Sequence, residues 1–267
     1  MIAYRVIRFM KAIVSIVSLG MLLVFTSCVT LYKPNAIHSP LLKEKGDFST
    51  SAVLGASGCG IYNLQAAYAV SEHVGILTDG MFHNRRITSS DSSVEKLHIL
   101  SGEIGAGYFT RIDNVNNALF QCYGGVGTGF TKDRITKTHQ SSPEINSKYF
   151  NLFVQPGIAY TYKYFEAAFD VRANYVQIYD IHAYLYDKFE WWNTDFRFYN
   201  DTTVNFLILE PSITLKAGGE KLKGVFQFGV TIPTIHSDSY FYVTPEAMFG
   251  TPLIKFSFGI NYTLGKK

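Results

Sequence analysis

From Phe48 to the end of the chain, hydrophobic and polar residues alternate with a period of two. In residues 165–175 one face carries only apolar side chains, namely Phe165, Ala167, Phe169, Val171, Ala173 and Tyr175. Strict alternation over this length predicts β-strands with two different faces, and no stretch after residue 28 has a convincing helical period. We predict strands at 47–57, 60–70, 74–84, 95–111, 118–132, 148–162, 165–181, 203–215, 222–233 and 253–264.

The connections between these strands alternate between short and long from the second connection onward. Lys163 and Tyr164 form a short one, and the 21 residues 182–202 form a long one. Outer-membrane barrels have short periplasmic turns, longer extracellular loops and an even number of antiparallel strands. The sequence therefore predicts an all-β protein, an antiparallel up-and-down transmembrane β-barrel of about ten strands. The tethered N-terminus and the last strand then both lie on the periplasmic side.

The polar faces of the predicted strands carry groups that are costly to bury in a dry interior. They are Glu103, Gln121, Gln155, Asp170, Arg172, Glu210, Gln227 and Lys255. Alternation alone leaves two possibilities, because a membrane barrel has its polar face inside and a soluble periplasmic barrel has the reverse. The composition, 47% hydrophobic and 15% aromatic, favours the membrane barrel, with aromatic residues at the strand ends forming interfacial girdles.

The N-terminal region has the features of an export signal. A basic head precedes an apolar run at 12–25, which is shorter than the roughly 20 residues of a membrane-spanning helix. Cys28 follows two small residues and resembles the acylated cysteine of a bacterial lipobox. We predict a lipoprotein signal peptide at 1–27, a lipidated tether at 28–45 and an outer-membrane barrel at 46–267. The alternative is an ordinary signal peptide with an incidental cysteine.

The charge balance gives no sign of a nucleic-acid partner. The whole chain has 24 Lys and Arg against 21 Asp and Glu, and three of the basic residues lie in the predicted signal peptide. The remaining chain has 21 of each, so no attraction to a polyanion is expected.

Cys59 and Cys122 are expected not to pair. Because no Cys or His residues have metal-ligand spacing, we predict no cofactor and no metal.

Three stretches carry a resemblance to a known family. They are "SPLLKEKGDF", "LQAAYAVSEHVGILTDGMF" and the closing aromatic alternation at 255–264. Together they resemble a family of Gram-negative outer-membrane β-barrel lipoproteins. The resemblance implies an outer-membrane location, contact with outer-membrane lipid, and partners in the barrel-assembly and lipoprotein-sorting machinery. It implies no agreed activity. Such proteins usually finish on an aromatic residue, whereas here the last aromatic residue is Tyr262.

A group of charged residues is expected to face the barrel lumen. The candidates are Glu166, Asp170, Arg172, Glu210 and Lys255. The pairs Asp170 with Arg172 and Glu166 with Lys255 are expected to form a structural network, because internal charges need partners. The alternative is that they line a channel for small solutes.

Aromatic side chains concentrate in the long connection at 182–202. Tyr184, Tyr186, Trp191 and Trp192 are candidates for binding a sugar or a protein partner, and the alternative is an outer aromatic girdle. Asp180 and His182 are two residues apart and have the composition of a base with its orienting carboxylate. No nucleophile is spaced to complete a motif, so we predict that the chain is not an enzyme.

Three functions remain open on the sequence alone. The favoured one is a non-enzymatic outer-membrane β-barrel lipoprotein with outward-facing loops and an envelope structural or surface-interaction role. The others are a small-solute channel and a soluble periplasmic barrel lipoprotein that binds an apolar ligand. The sequence does not identify an external ligand.

Overall fold

The structure is a computed structural model that describes residues 32–55, 60–88, 94–112, 117–136, 144–184, 203–236 and 254–265. Its strands are β1 Phe48–Gly55, β2 Ile61–Ala69, β3 Val74–Thr88, β4 Val94–Arg111, β5 Ala118–Thr136, β6 Glu144–Thr161, β7 Phe165–Tyr184, β8 Val204–Gly218, β9 Leu222–Val230, β10 Ile232–His236 and β11 Ile254–Leu264. No helix in these ranges is long and apolar enough to cross a membrane.

The strands form one closed antiparallel sheet. Consecutive strands pair with each other from β1 to β8, β11 pairs with both β1 and β9, and β8 pairs with β9 and β10. Because β9 and β10 are separated only by Thr231, they are two parts of a single barrel strand. The break faces Glu210 and Pro211 of β8, where the ladder loses a donor because proline has no N–H. The prediction of an all-β, ten-stranded antiparallel barrel is confirmed.

The outside of the barrel is apolar and the inside is polar. Phe169 and Ile260 are 45% and 57% exposed on the outer face, whereas Asp170 and Asn261 are buried inside. A soluble barrel would have the opposite arrangement, so the soluble periplasmic alternative is wrong. An apolar exterior around a polar interior is the arrangement of a transmembrane β-barrel, and the protein is therefore an outer-membrane barrel.

The two ends of the barrel differ. At one end the connections are the short turns 70–73, 112–117, 162–164 and 219–221, and we call this the short-turn end. Exposed aromatic side chains surround it, at Tyr68, Tyr108, Tyr160, Tyr162, Tyr164, Phe165 and Tyr262. Short turns are typical of the periplasmic end of such barrels, and an aromatic girdle marks a membrane interface. We call the opposite end the long-loop end.

The strands reach further at the long-loop end than the sequence pattern predicts. β3 continues to Thr88, β5 to Thr136 and β7 to Tyr184, which are residues that the sequence assigned to loops. The apolar outward face of β7 ends at Tyr175, and the next outward residue is Gln177. The end of β7 therefore stands above the apolar belt, where its outward side chains are Gln177 and Tyr179.

Candidate functional site

The lumen of the barrel is occupied by the chain's own residues 32–42, which we call the luminal segment. All eleven residues are buried, and none belongs to a strand. The sequence predicts a tether at 28–45, and in the structure residues 32–42 of that range lie inside the barrel. The luminal segment has no alternation of apolar and polar residues, because both of its sides face the interior of the barrel.

The luminal segment begins at the long-loop end. The Tyr32 ring packs edge-on against Tyr149 and Phe206, with ring centroids 4.8 and 5.8 Å apart. Asn174 Nδ2 donates a hydrogen bond to the Tyr32 hydroxyl at 2.9 Å. The other side chains in this cluster are Ile145, Val176, Ile178, Ile181, Val204 and Ile208, from the long-loop ends of β6, β7 and β8. The sequence predicts the N-terminus at the periplasmic side, whereas Tyr32 lies at the opposite end.

Amide side chains of the barrel wall hold the backbone in the middle of the luminal segment. Gln65 Nε2 donates to the Ala36 carbonyl at 3.0 Å, and the Ala36 N–H donates to Asn63 Oδ1 at 3.2 Å. Gln227 binds both polar groups of Ile37: the N–H donates to Oε1 at 3.0 Å, and Nε2 donates to the carbonyl at 2.7 Å. An amide side chain has both a donor and an acceptor, so it replaces the pairing that a neighbouring strand would give.

Further wall residues continue this pattern below Ile37. Gln155 Nε2 donates to the His38 carbonyl at 2.8 Å, and Lys216 Nζ donates to the Ser39 carbonyl at 2.7 Å. The His38 ring lies with Nδ1 3.2 Å from Asp79 Oδ1, and both side chains are buried. These contacts lie nearer the short-turn end than those of Tyr32, so the segment descends through the lumen as its numbering rises.

The luminal segment ends at the short-turn end. Leu42 packs among Ala69, Leu77, Phe109 and Tyr123. Gly75 of β3 leaves the room that Leu42 occupies, because a Cβ at Gly75 would lie 2.7 Å from Leu42 Cδ1.

Beyond Leu42 the chain reverses its direction. The Lys43 N–H donates to the Asp47 carboxylate at 2.8 Å, Gly46 has a φ of 93°, and β1 begins at Phe48. A φ in this region favours glycine, so the reversal has a local sequence signal. The chain therefore crosses the barrel once through the lumen and a second time as β1.

All five residues of the predicted lumen network lie inside the barrel, but the predicted pairs do not form. Asp170 accepts hydrogen bonds from Ser39 of the luminal segment and from Gln121, the latter at 2.8 Å. Arg172 instead forms an ion pair with Glu103, and its guanidinium lies 3.9 Å above the Phe153 ring. Alternation predicts that both side chains face the lumen, but each takes its partner from another element and not from its own strand.

The second predicted pair also has other partners. Glu166 binds Lys43 Nζ at 3.1 Å and Lys223 Nζ at 2.9 Å, whereas Lys255 pairs with Glu210. Glu166 is at the short-turn end of β7, and Lys255 is at the long-loop end of β11. Alternation predicts which face a residue occupies but not its level along the barrel. The sequence therefore pairs Glu166 with Lys255, although the two residues lie at opposite ends of the barrel.

A small cavity of about 10 Å³ lies between the luminal segment and the wall, lined in part by Ile37, Ser39 and Gln227. This is room for about one water molecule. No group of three or more His, Cys, Asp or Glu residues within the described ranges has the geometry of a metal site.

Asp180 and His182 lie together above the apolar belt. His182 Nε2 is 2.7 Å from Asp180 Oδ1, and Lys148 Nζ is 2.6 Å from Asp180 Oδ2. Asp180 has a φ of 54° and sits with Ile181 opposite a single residue of β6, which is a β-bulge. The hydrogen bonds from Lys148 and His182 lower the pKa of the Asp180 carboxyl. The bulge thus holds the His182 imidazole against an ionised carboxylate, a pairing that can orient a general base.

The predicted aromatic binding residues lie at the edge of the described chain or beyond it. Tyr184 is the last residue of β7, and its side chain is outside the described part. Tyr186, Trp191 and Trp192, like Cys28 and Cys59, lie outside the described residues. Cys122 has a free thiol and lies on the outward face of β5, next to Phe120 in the alternation.

Comparison with known proteins gives similarity at the level of the fold. The chain is similar to the outer membrane protease OmpT from Escherichia coli, with 8% sequence identity and a TM-score of 0.48, over 86% of this chain and 99% of that chain. It is also similar to the outer-membrane expressed OmpT of Vibrio cholerae, with 10% identity and a TM-score of 0.17, over 82% of this chain and 96% of that chain. Neither a family model nor a curated protein matches the chain.

The first comparison corrects one prediction. The sequence predicts that the chain is not an enzyme, and this is contradicted because a barrel similar to this one is a protease. The likeness itself concerns the fold alone and transfers no activity to this chain.

Proposed function

We propose that this protein is a surface-anchored outer-membrane lipoprotein. In this proposal the barrel is closed by its own luminal segment and holds the N-terminal anchor and the long loops at the cell surface, where they interact with external partners. The observation that carries the proposal is the direction of the luminal segment, which begins with Tyr32 at the long-loop end and reaches Leu42 at the short-turn end.

The position of Tyr32 limits where an acylated Cys28 can lie. Tyr32 is four positions after Cys28, and a fully extended chain spans at most about 14 Å over that distance. The apolar band of an outer-membrane barrel is about 25 Å tall. An anchor at Cys28 therefore reaches the outer leaflet and not the periplasmic one.

The packing of the lumen favours a closed barrel and argues against a channel. Wall side chains bind the backbone of Ala36, Ile37, His38 and Ser39, so a solute would have to replace buried hydrogen bonds as well as displace the segment. Leu42 and the apolar cluster around it close the short-turn end. We therefore favour surface interaction over conduction of small solutes.

Cysteine accessibility on intact cells tests the proposal. Thr30→Cys is placed in a chain that lacks Cys59 and Cys122, and Lys221→Cys in the same background is the matched control in a short turn. A membrane-impermeant maleimide is expected to label Thr30→Cys on intact cells and to label Lys221→Cys only after the outer membrane is permeabilised. Labelling of Thr30→Cys only after permeabilisation would contradict the surface anchor.

A further inference from the structure

The outward face of β3–β6 carries a group of cationic side chains above the apolar belt. We call this group the basic patch. It consists of Arg86, Lys96, Lys132, Arg134 and Lys148, all of them exposed.

Three of these cations lie side by side on neighbouring strands. Arg86 of β3 is directly opposite Lys96 of β4, and Lys96 is directly opposite Arg134 of β5. Side chains in such positions have Cβ atoms about 4.5–5.5 Å apart, and like charges placed there repel each other. A row of three cations is therefore unfavourable unless an anion lies among them.

Carboxylates of the chain neutralise only part of the basic patch. Glu144 lies 3.1 Å from Lys132 Nζ and 3.4 Å from Arg134 Nε, and Asp180 binds Lys148. Within the described residues, neither Arg86 nor Lys96 has a carboxylate at ion-pair distance. Five cations face two carboxylates on this surface, which leaves an excess of positive charge.

The level of the basic patch matches the headgroups of the outer leaflet. One row of outward side chains in the apolar belt is formed by Phe82, Leu100 and Phe130, all exposed and directly opposite one another. Arg86 is four residues further along β3 than Phe82, about 13 Å along the strand and about 10 Å along the membrane normal at the usual tilt. Lys132 lies between the two rows. The cations thus occupy the zone just above the hydrocarbon, and their long side chains reach toward it.

We propose that the basic patch is a binding site for phosphorylated lipid of the outer leaflet. A phosphate group among Arg86, Lys96 and Arg134 removes the repulsion within the row. Guanidinium groups bind phosphate oxygens with two parallel hydrogen bonds, and a lysine adds a compact charge. The lipid's acyl chains then lie along the apolar row beneath. This inference rests on the barrel's exterior and is independent of where the N-terminal anchor lies.

The test compares lipid binding by the full-length protein and a charge-neutral variant. The variant is Arg86→Gln with Lys96→Gln and Arg134→Gln, and the control is Lys45→Gln with Arg111→Gln and Lys221→Gln, which removes three exposed cations from the short-turn end. The probe is lipid A, a phosphorylated glycolipid, against its enzymatically dephosphorylated form, added to the protein in neutral detergent micelles. Retained lipid is counted by native mass spectrometry.

The unmodified protein and the control are expected to bind lipid A at least tenfold more tightly than the dephosphorylated form, and the variant is expected to lose this preference. Thermal stability gives a second readout. Without lipid A the variant is expected to unfold at the same or a higher temperature than the unmodified protein, and with lipid A at a lower one. Equal retention of lipid A by variant and unmodified protein, or equal binding of both lipid forms by the unmodified protein, would overturn the proposal. Stronger binding of inorganic phosphate or of a soluble polyanion than of lipid A would also overturn it.

Discussion

The side chain of Gln227 binds both backbone polar groups of Ile37, a residue 190 positions earlier in the chain. Gln227 is on β9, inside the barrel, and Ile37 is near the middle of the luminal segment. The pair joins the wall to the segment as two neighbouring strands would join each other. It also shows that the polar lumen is built to hold a piece of backbone.

Gln227→Leu is expected to destabilise the folded barrel. The substitution leaves the N–H and the carbonyl of Ile37 buried without partners, and each unsatisfied group costs about 1–3 kcal/mol. The temperature at which the purified protein loses its heat-modifiable migration on gels should fall. Gln177→Leu, the same change on the outward face of β7, is the control and should leave that temperature nearly unchanged. Equal effects of the two variants would contradict the role given to Gln227.

Val171→Arg is expected to impair assembly of the barrel. Val171 points outward near the middle of the apolar belt, where an arginine costs about 2–4 kcal/mol. Gln177→Arg lies on the same face of the same strand but above Tyr175, where the cost is about 0–1 kcal/mol. The amount of folded protein in the outer-membrane fraction should therefore fall for the first variant and not for the second. If the second variant were the worse, the position of the belt would be wrong.

Alternation was sufficient to predict the faces of the barrel, because lipid and lumen impose opposite polarity on successive residues. It placed Phe169 and Ile260 outside and Asp170 inside, as the structure has them. It did not place the luminal segment. The backbone partners of Ala36 and Ile37 are 27 to 190 residues away and spread around the barrel, so no local pattern records them.

A signal for the luminal segment was nevertheless present. Gln65, Gln155 and Gln227 all face the interior, and a buried amide needs both a donor and an acceptor. Three such residues on separate strands indicate that the lumen contains a further polar element. The ion pairs could not be predicted from the sequence for another reason. Glu166 and Lys255 share the luminal face but differ in their level along the barrel.

Cys28→Ala is expected to abolish incorporation of radiolabelled fatty acid. The prediction follows from the position of Cys28 directly after the signal-like segment, since the acyl chains are attached to its thiol. Cys122→Ala is the control and should incorporate label as the unmodified protein does. Persistent labelling of the Cys28 variant would show that the protein is not acylated at Cys28.

Glu144 is expected to make a small, pH-dependent contribution to stability. Hydrogen bonds from Asn146 and Lys132 lower its pKa below the usual 4.5. A carboxyl whose pKa is lower in the folded state stabilises that state above its unfolded pKa, and the contribution is lost as the pH falls through the folded value. Because Glu144 is half-buried and its cationic partners are exposed, the effect is expected to be a few tenths of a kcal/mol and to weaken with salt.

Thermal unfolding of the unmodified protein and of Glu144→Gln measures this contribution. The two proteins should differ at neutral pH and converge as the pH falls below the usual carboxyl pKa of 4.5. A difference that grows in acid would show that the carboxylate does not stabilise the fold.

Crosslinking between the luminal segment and the wall shows whether residues 32–42 lie inside the barrel. Ile37→Cys with Gln227→Cys is placed in a chain lacking Cys59 and Cys122, expressed in the outer membrane and treated with a short bifunctional maleimide. Ile37→Cys with Gln177→Cys is the control, because Gln177 points away from the lumen. We expect a closed ring of the chain between residues 37 and 227, visible as a faster band on a denaturing gel, for the first pair alone. A chain that stays linear with the first pair, or an equal ring with the control pair, would contradict a luminal segment inside the barrel.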